Sequence, residues 1–149
     1  KAHQREKEKN NITIRGSWTG AYLYKINGMP LKSKRQVDDA IKFYKKQIEL
    51  NNPKTKYEVH HYRLACCYNI QGNKKEALKE LRLEAESWEV FLKSLVAQLK
   101  KWHFWNSLRD EPEFQEILQI METKYLKGHN RIRELLIREG IMSDEIINQ

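Results

Sequence analysis

One stretch, residues 62–81, most constrains what this chain can fold into. Apolar and small residues recur there at helical spacing, a glycine at position 72 interrupts them, and the same spacing then resumes. These residues are Leu64, Ala65 and Tyr68 before the glycine, and Ala77 and Leu81 after it. Since glycine is well suited to ending a helix, the pattern predicts two helices that fold back on each other as a hairpin.

Helix-breaking residues are scarce along the whole chain, which extends this interpretation beyond the hairpin. The 149 residues include only 6 Gly and 3 Pro, and 40% of them are hydrophobic, so the chain can bury a core. Apart from a short β-branched run at 12–14, no segment is typical of a strand. We therefore expect an all-α protein built from antiparallel helical hairpins.

The sequence contains no apolar run near the ~18 residues needed to span a bilayer, and no signal peptide is recognisable. Its two cysteines, Cys66 and Cys67, are adjacent, so there is no disulfide framework, which agrees with a reducing compartment. We expect a cytoplasmic protein. Because the sequence begins at Lys1 rather than Met, we treat it as part of a larger protein.

Positive charge is concentrated at the start of the chain. Residues 1–35 hold nine of the 28 Lys and Arg residues but only two acidic ones. We expect residues 1–16 to be a basic lead-in, either disordered or the end of an upstream segment, followed by a helical domain over 17–140 and a short tail over 141–149. A basic region of this kind attracts nucleic acid, anionic lipid or an acidic protein surface, and its candidate patch is Lys32, Lys34 and Arg35.

Turn residues divide the first half into helices. The expected helices cover 18–26, 34–50 and 56–71. The segment 27–30 is predicted to be a loop, Ser33 to be the N-cap of the second helix, and Pro53 to stop that helix, because proline cannot continue the hydrogen-bond ladder.

Residues 73–111 contain neither glycine nor proline and leave two interpretations open. Apolar residues from Leu78 to Trp102 follow one another at alternating intervals of three and four, the spacing of a helix that packs along a seam. One long helix fits this pattern. Two helices broken near Glu86 and Ser87 also fit it, and we favour the break because the helices of repeat proteins are shorter.

An aromatic cluster and a charged helix follow. Trp102, Phe104 and Trp105 are expected to form a corner of the core rather than a surface that stacks nucleic-acid bases. A long helix is predicted to start at Pro112 and continue to 139, with Gly140 ending it. Asp110 is its expected cap with Glu113 as the capping-box partner, and its inward-facing residues are expected to include Ile132, Leu135 and Leu136.

The pattern at 58–91 resembles the tetratricopeptide repeat (TPR) family, a repeat of ~34 residues that forms a helix-turn-helix. Leu64, Ala65, Tyr68, Gly72, Ala77 and Leu81 match its large, small, aromatic and turn positions. His61 stands where the family prefers Trp, and Glu84 where it prefers Ala. Ala40, Tyr44 and the Asn52-Pro53 exit resemble the second helix of a preceding repeat.

The segment 105–114 is similar to the end of bacterial TPR arrays, where a long charged helix closes the stack. The resemblance implies a short TPR-like α-solenoid of stacked hairpins with a C-terminal closing helix. It also implies a scaffold or adaptor that binds a protein or peptide in a concave groove, as part of a larger regulatory or signalling protein. The first helix of each hairpin lines such a groove.

We therefore assign His60, Arg63 and Cys67 as candidate groove residues, since they follow at intervals of three and four. The alternative is an ordinary solvated face. A second function class, binding of nucleic acid through Lys32, Lys34 and Arg35, also stays open. No serine lies in a GxSxG context, no phosphate-binding loop occurs, and the His and Cys spacing matches no zinc motif. We therefore expect no enzyme activity, no cofactor and no metal.

Overall fold

The computed structural model describes residues 17–50, 60–88 and 93–141, and these ranges consist of helices joined by short turns. The helices are α1 (Trp18–Ile26), α2 (Pro30–Leu50), α3 (His60–Gln71), α4 (Lys74–Ser87), α5 (Lys93–Lys101), α6 (Asn106–Arg109) and α7 (Pro112–Arg138), with a 3-10 turn (His103–Trp105) before α6. The expectation of an all-α protein is confirmed for these ranges. The expected short run at 12–14 and the helix stop at Pro53 lie outside them.

The chain forms two compact units, Lys1–Glu84 and Ala85–Gln149. The boundary between the two units, at residues 84 and 85, falls inside the helical domain that was expected at 17–140. Among the described residues, none of the helices combines the length and the apolar character needed to cross a bilayer.

In the first unit, α1 and α2 form a hairpin around a glycine turn. Gly28 has a φ of 69°, and the N–H of Met29 donates to the carbonyl of Tyr24 at 2.9 Å, which is the Schellman ending of a helix. Helix α2 starts at Pro30, four residues earlier than expected. Proline is favoured at the first position of a helix because a backbone N–H has no helical acceptor there, so proline loses no hydrogen bond.

Ser33 is not the N-cap of α2, so that prediction is wrong. Its side chain is buried inside the helix, and its hydroxyl donates to the carbonyl of Ala21 in α1 at 2.8 Å. The hydroxyl thus joins the two helices of the hairpin instead of starting one of them.

The hairpin of α3 and α4 is formed as the sequence predicts. Gly72 has a φ of 76°, and the N–H of Asn73 donates to the carbonyl of Tyr68 at 2.9 Å. The two helices run antiparallel, because His61 near the start of α3 is hydrogen-bonded to Glu80 in the later part of α4.

Helix α3 is the most enclosed helix of the described part of the first unit. Nine of its twelve residues are buried, including polar His60 and Asn69. It packs against both α2 and α1 and is hydrogen-bonded to α4. Burial on nearly every side is unusual for a helix of this polarity, so its polar side chains must be satisfied by neighbouring helices.

The favoured break after α4 is confirmed. Helix α4 ends at Ser87 and α5 begins at Lys93. In the second unit, the ammonium group of Lys124 donates to the carbonyls of Ala85 and Trp88 at 2.7 and 2.8 Å. It thereby binds carbonyl groups at the end of α4 and just beyond it.

The core of the second unit lies under the first half of α7. Helix α7 packs against α5 and α6, and its buried apolar residues are Phe114, Ile117, Leu118 and Met121. Trp105, fully buried, lies 6.2 Å from Phe114 between ring centroids. Trp105 and Phe104 belong to the core, as expected.

Two details of α7 differ from the expectation. The N-cap is Glu111 rather than Asp110, and it makes no side-chain cap bond. Ile132 and Leu135 are exposed rather than inward-facing, with exposed fractions of 57% and 39%. Helix α5 has 9 residues and α7 has 27, and at ~1.5 Å per residue the shorter helix cannot cover the longer one.

Candidate binding surfaces

The three predicted groove residues on α3 do not share an open face. His60 is 6% exposed and Cys67 is completely buried. Arg63 is half-buried, and its guanidinium carbon lies 5.8 Å from the ring centroid of Tyr44 in α2. The interpretation of His60 and Cys67 as groove-lining residues therefore does not match their burial, and Arg63 alone keeps access to solvent.

The spacing of these residues is helical, as the sequence indicates, but their face is covered. Helix α2 covers it with Tyr44, whose ring centroid lies 6.2 Å from that of His60. At the other end of α3, Lys25 of α1 donates to the carbonyl of Ile70 at 2.6 Å. A sequence pattern shows which residues share a face, but it does not show which neighbour covers that face.

Both cysteines, Cys66 and Cys67, are buried core residues. Burial raises the pKa of the Cys66 thiol well above its usual value and that of Cys67 to about 12. Thiols with raised pKa values are poor nucleophiles and poor metal ligands at neutral pH. Within the described ranges, no group of three His, Cys, Asp or Glu residues is placed to hold a metal ion.

Two acidic residues of α4 face the start of α3. Nδ1 of His61 lies 2.7 Å from Oε2 of Glu80, and this bond raises the pKa of His61 above 6.5 although partial burial opposes the shift. Glu84 is 1% exposed, and its Oε2 accepts a hydrogen bond from the N–H of Tyr62 at 3.1 Å. These hydrogen bonds hold the two helices of the hairpin together.

The basic patch on α2 is exposed, but it is divided between two recesses. Lys32 and Arg35 line a recess of about 400 Å³ together with Tyr24. Lys34 lines a different recess of about 420 Å³ together with Lys25. Since one residue advances a helix by ~100°, positions 32 and 35 lie on similar sides and position 34 on another.

Large apolar side chains are exposed beside the basic residues, a feature that the sequence analysis missed. They are Leu23 (56% exposed), Ile26 (59%), Met29 (43%) and Leu31 (83%). Leu23 and Ile26 are three residues apart on α1, on the side away from buried Ala21. The signal that could have found them is this spacing relative to Ala21, combined with their position around the Gly28 turn.

The aromatic cluster of the second unit is a packing feature. The rings of Trp102 and Phe104 are stacked with centroids 4.8 Å apart, and Phe104 meets Trp105 edge-on. Because Phe104 and Trp105 are buried, their rings are unavailable to stack nucleic-acid bases.

Comparison with known proteins gives no match to this chain among family models, curated proteins or solved structures.

Proposed function

We propose that this chain is a protein-interaction module of the TPR type, a scaffold or adaptor within a larger regulatory or signalling protein. The observation that carries the proposal is the contact between α1 and α3. Lys25 lies in the last turn of α1 and its ammonium group donates to Ile70 in the last turn of α3, so the two helices end side by side.

This contact fits the arrangement of stacked hairpins. Helix α2 packs antiparallel to both α1 and α3: Ser33 bonds Ala21 near the turn, and Gln71 at the end of α3 donates to Asp38 near the start of α2 at 3.0 Å. In a helical repeat, the first helix of one hairpin contacts both its own partner and the first helix of the next hairpin. Helices α1, α2 and α3 have this relationship, and α4 completes the second hairpin.

Arg63 is the residue through which such a module would engage an acidic partner. It is the only member of the predicted trio with access to solvent. The neighbouring Tyr44 ring supports its guanidinium group, and a guanidinium group with a fixed orientation favours carboxylate recognition. We therefore place the partner contact of the proposed module at Arg63 rather than at His60 or Cys67.

The test is affinity capture from a nuclease-treated lysate of the source cells, with Arg63→Glu compared with the unmodified chain. The matched control is Arg131→Glu, a charge reversal at an exposed position of α7. We expect a protein captured by the unmodified chain and by the control to be lost from Arg63→Glu. Equal capture by a folded Arg63→Glu chain would place the contact elsewhere, and capture of no protein at all would contradict the module itself.

A second candidate function, binding of single-stranded nucleic acid, is favoured by the recess beside Tyr24. The ammonium group of Lys32 lies 5.8 Å from the centroid of the Tyr24 ring, and Arg35 lines the same recess. An aromatic ring beside cationic groups can stack a base and pair with its phosphate. The test is oligonucleotide binding as a function of salt. Lys32→Glu should weaken binding for all sequences and make the salt dependence less steep.

A further inference from the structure

We propose that the tip of the α1–α2 hairpin, residues 23–35, attaches this chain to an anionic membrane surface. At this tip, exposed apolar side chains and basic side chains surround the turn at Gly28. This inference does not depend on the proposed protein partner, because that partner is placed at Arg63 on α3.

The hairpin tip exposes four large apolar side chains within nine residues. Leu23 and Ile26 lie in the last turns of α1, Met29 follows the turn, and Leu31 is the second residue of α2. Leu31 is 83% exposed, so no residue in the described ranges covers most of its side chain. Exposed large apolar side chains at one end of a hairpin favour contact with a partner or a membrane.

The charged residues of the tip itself are all basic. The hairpin tip contains Lys25, Lys32, Lys34 and Arg35, and the segment 17–37 contains no Asp or Glu. All four basic residues are exposed. Anionic leaflets attract such clusters over roughly a Debye length, and apolar side chains can then insert below the headgroups.

The two recesses on the flanks of α2 are suited to lipid headgroups. One is lined by Lys25 and Lys34, and the other by Lys32, Arg35 and Asp39 beside Tyr24. Each places two cations where a phosphate or carboxylate group of a lipid would lie, and the second recess keeps a net positive charge because its two cations face one carboxylate. Tyr24 adds an amphipathic ring of the kind that is enriched at membrane interfaces.

The tip is held rigidly enough to present these groups together. The Schellman turn at Gly28 fixes the end of α1, and the bond from Ser33 to the carbonyl of Ala21 ties α2 to α1. Because the turn is fixed, the apolar residues do not have to be ordered when a membrane binds, which reduces the entropic cost of association.

The apolar residues distinguish a membrane from nucleic acid. A phosphate backbone would use the four cations but would leave Leu31, Ile26, Leu23 and Met29 in water. A bilayer interface uses both groups at once, since it offers anionic headgroups above an apolar layer. The combination therefore favours an anionic membrane over nucleic acid as the ligand of the hairpin tip.

The experiment is cosedimentation of the full chain with vesicles of phosphatidylcholine alone or of phosphatidylcholine mixed with phosphatidylserine. We expect binding to the anionic vesicles only, weakened by added salt. Lys32→Glu removes one positive and adds one negative charge, and because each charge is worth about fivefold, we expect a loss of at least about fivefold. Leu31→Asp should also abolish most of the binding.

Two matched controls lie on α7. Lys127→Glu is a charge reversal at an exposed position, and Leu126→Asp places a charge at an apolar position that is 54% exposed. Both should bind vesicles like the unmodified chain. Since all four substitutions are at exposed positions, we expect each variant to fold, which circular dichroism would verify.

Insertion of the tip can be measured separately with Leu31→Cys labelled by an environment-sensitive fluorophore. Selective labelling is feasible because Cys66 and Cys67 are buried. Anionic vesicles should shift the emission of the label at position 31 to shorter wavelength, while the same label at Leu126→Cys should not respond.

Three results would overturn the proposal. One is equal vesicle binding by Leu31→Asp and the unmodified chain. Another is an absence of vesicle binding together with tight binding of a single-stranded oligonucleotide that Leu31→Asp leaves unchanged, which would assign the cations to nucleic acid. The third is self-association that Leu31→Asp abolishes, again without vesicle binding, which would assign the apolar tip to a second copy of the chain.

Discussion

The carboxylate of Glu84 binds the backbone of Tyr62, with Oε2 of Glu84 3.1 Å from the amide nitrogen. Tyr62 lies in α3 and Glu84 in the last turn of α4, so this bond joins the two helices of the hairpin. Glu84 is 1% exposed, and a buried carboxylate needs a hydrogen-bond donor of this kind.

We expect Glu84→Ala to destabilise the first unit by about 2–4 kcal/mol, because it removes the buried carboxylate that accepts from the N–H of Tyr62 and opens a cavity. Glu84→Gln should cost less, since its amide oxygen can still accept the bond. Urea denaturation followed by circular dichroism measures both differences. Glu86→Ala, at an exposed position on the same helix, is the control and should change the unfolding free energy by less than about 0.5 kcal/mol. Similar values for Glu84→Ala and Glu86→Ala would refute the role of Glu84 in joining α3 to α4.

The pair of His61 and Glu80 should make stability depend on pH. Glu80 raises the folded-state pKa of His61 above 6.5, so the folded chain binds a proton more tightly than the unfolded chain does. This stabilisation is fully present below pH 6.5 and is lost as the pH rises through the raised pKa. We therefore expect His61→Gln to cost more at about pH 6 than at about pH 8.5.

The measurement is the free energy of unfolding of both chains at the two pH values. His103→Gln, at an exposed position, is the control. It should change the free energy of unfolding by the same small amount at both pH values. A cost of His61→Gln that is constant across this range would mean that the proton on His61 does not stabilise the pair.

Gly72 should tolerate asparagine better than alanine. Its φ of 76° lies in the left-handed region, where a Cβ costs about 1–2 kcal/mol. Nothing lies within 4 Å of a Cβ built at this position, so the cost of substitution is conformational rather than steric. We expect the thermal unfolding midpoint to be highest with glycine at position 72, lower with asparagine and lowest with alanine. Equal midpoints for Gly72→Ala and the unmodified chain would show that the turn relaxes without cost.

Lys124 should protect the end of α4 from fraying. Its ammonium group binds the carbonyls of Ala85 and Trp88, and hydrogen bonds from a charged group are worth about 1.5–3 kcal/mol. We expect Lys124→Met to speed amide hydrogen exchange at residues 85–88, because the methionine keeps the apolar stem but cannot donate. Lys127→Met, on an exposed side of α7, should leave that exchange unchanged, and parallel behaviour of the two variants would contradict this role.

The two thiols should be unreactive while the chain is folded. Cys66 and Cys67 are both completely buried and their thiol pKa values are raised, so almost no thiolate is present near neutral pH. We expect a disulfide reagent to modify neither cysteine in the folded chain and both cysteines in denaturant. Rapid reaction of one thiol in the folded chain would show that α3 opens readily on that side.

Local signals account for most of what was predictable about the fold. Gly72 and Gly140 end their helices as expected because a positive φ is a property of a single residue. The break after Ser87 was favoured from helix length alone, and the lysine that binds the end of α4 lies about forty residues further along the chain. Such a contact leaves no mark in the local sequence.

The candidate site was less predictable, because burial depends on neighbours. His60, Arg63 and Cys67 have the expected helical spacing, yet only Arg63 is reachable. Ser33 resembled a cap because serine is a good cap, but its hydroxyl found the carbonyl of Ala21 instead. For the exposed Leu31 the sequence offers only its position beside the Gly28 turn, since Ser33, two residues further along the same helix, is buried.

The division of the chain into two compact units gives each unit its own optical reporter. Of the four tryptophans, Trp18 alone belongs to the first unit, whereas Trp88, Trp102 and Trp105 belong to the second. A chain that keeps only Trp18 would report the melting of one unit, and a chain that lacks only Trp18 would report the other. Two separate melting curves would mean that a single midpoint temperature does not describe this protein.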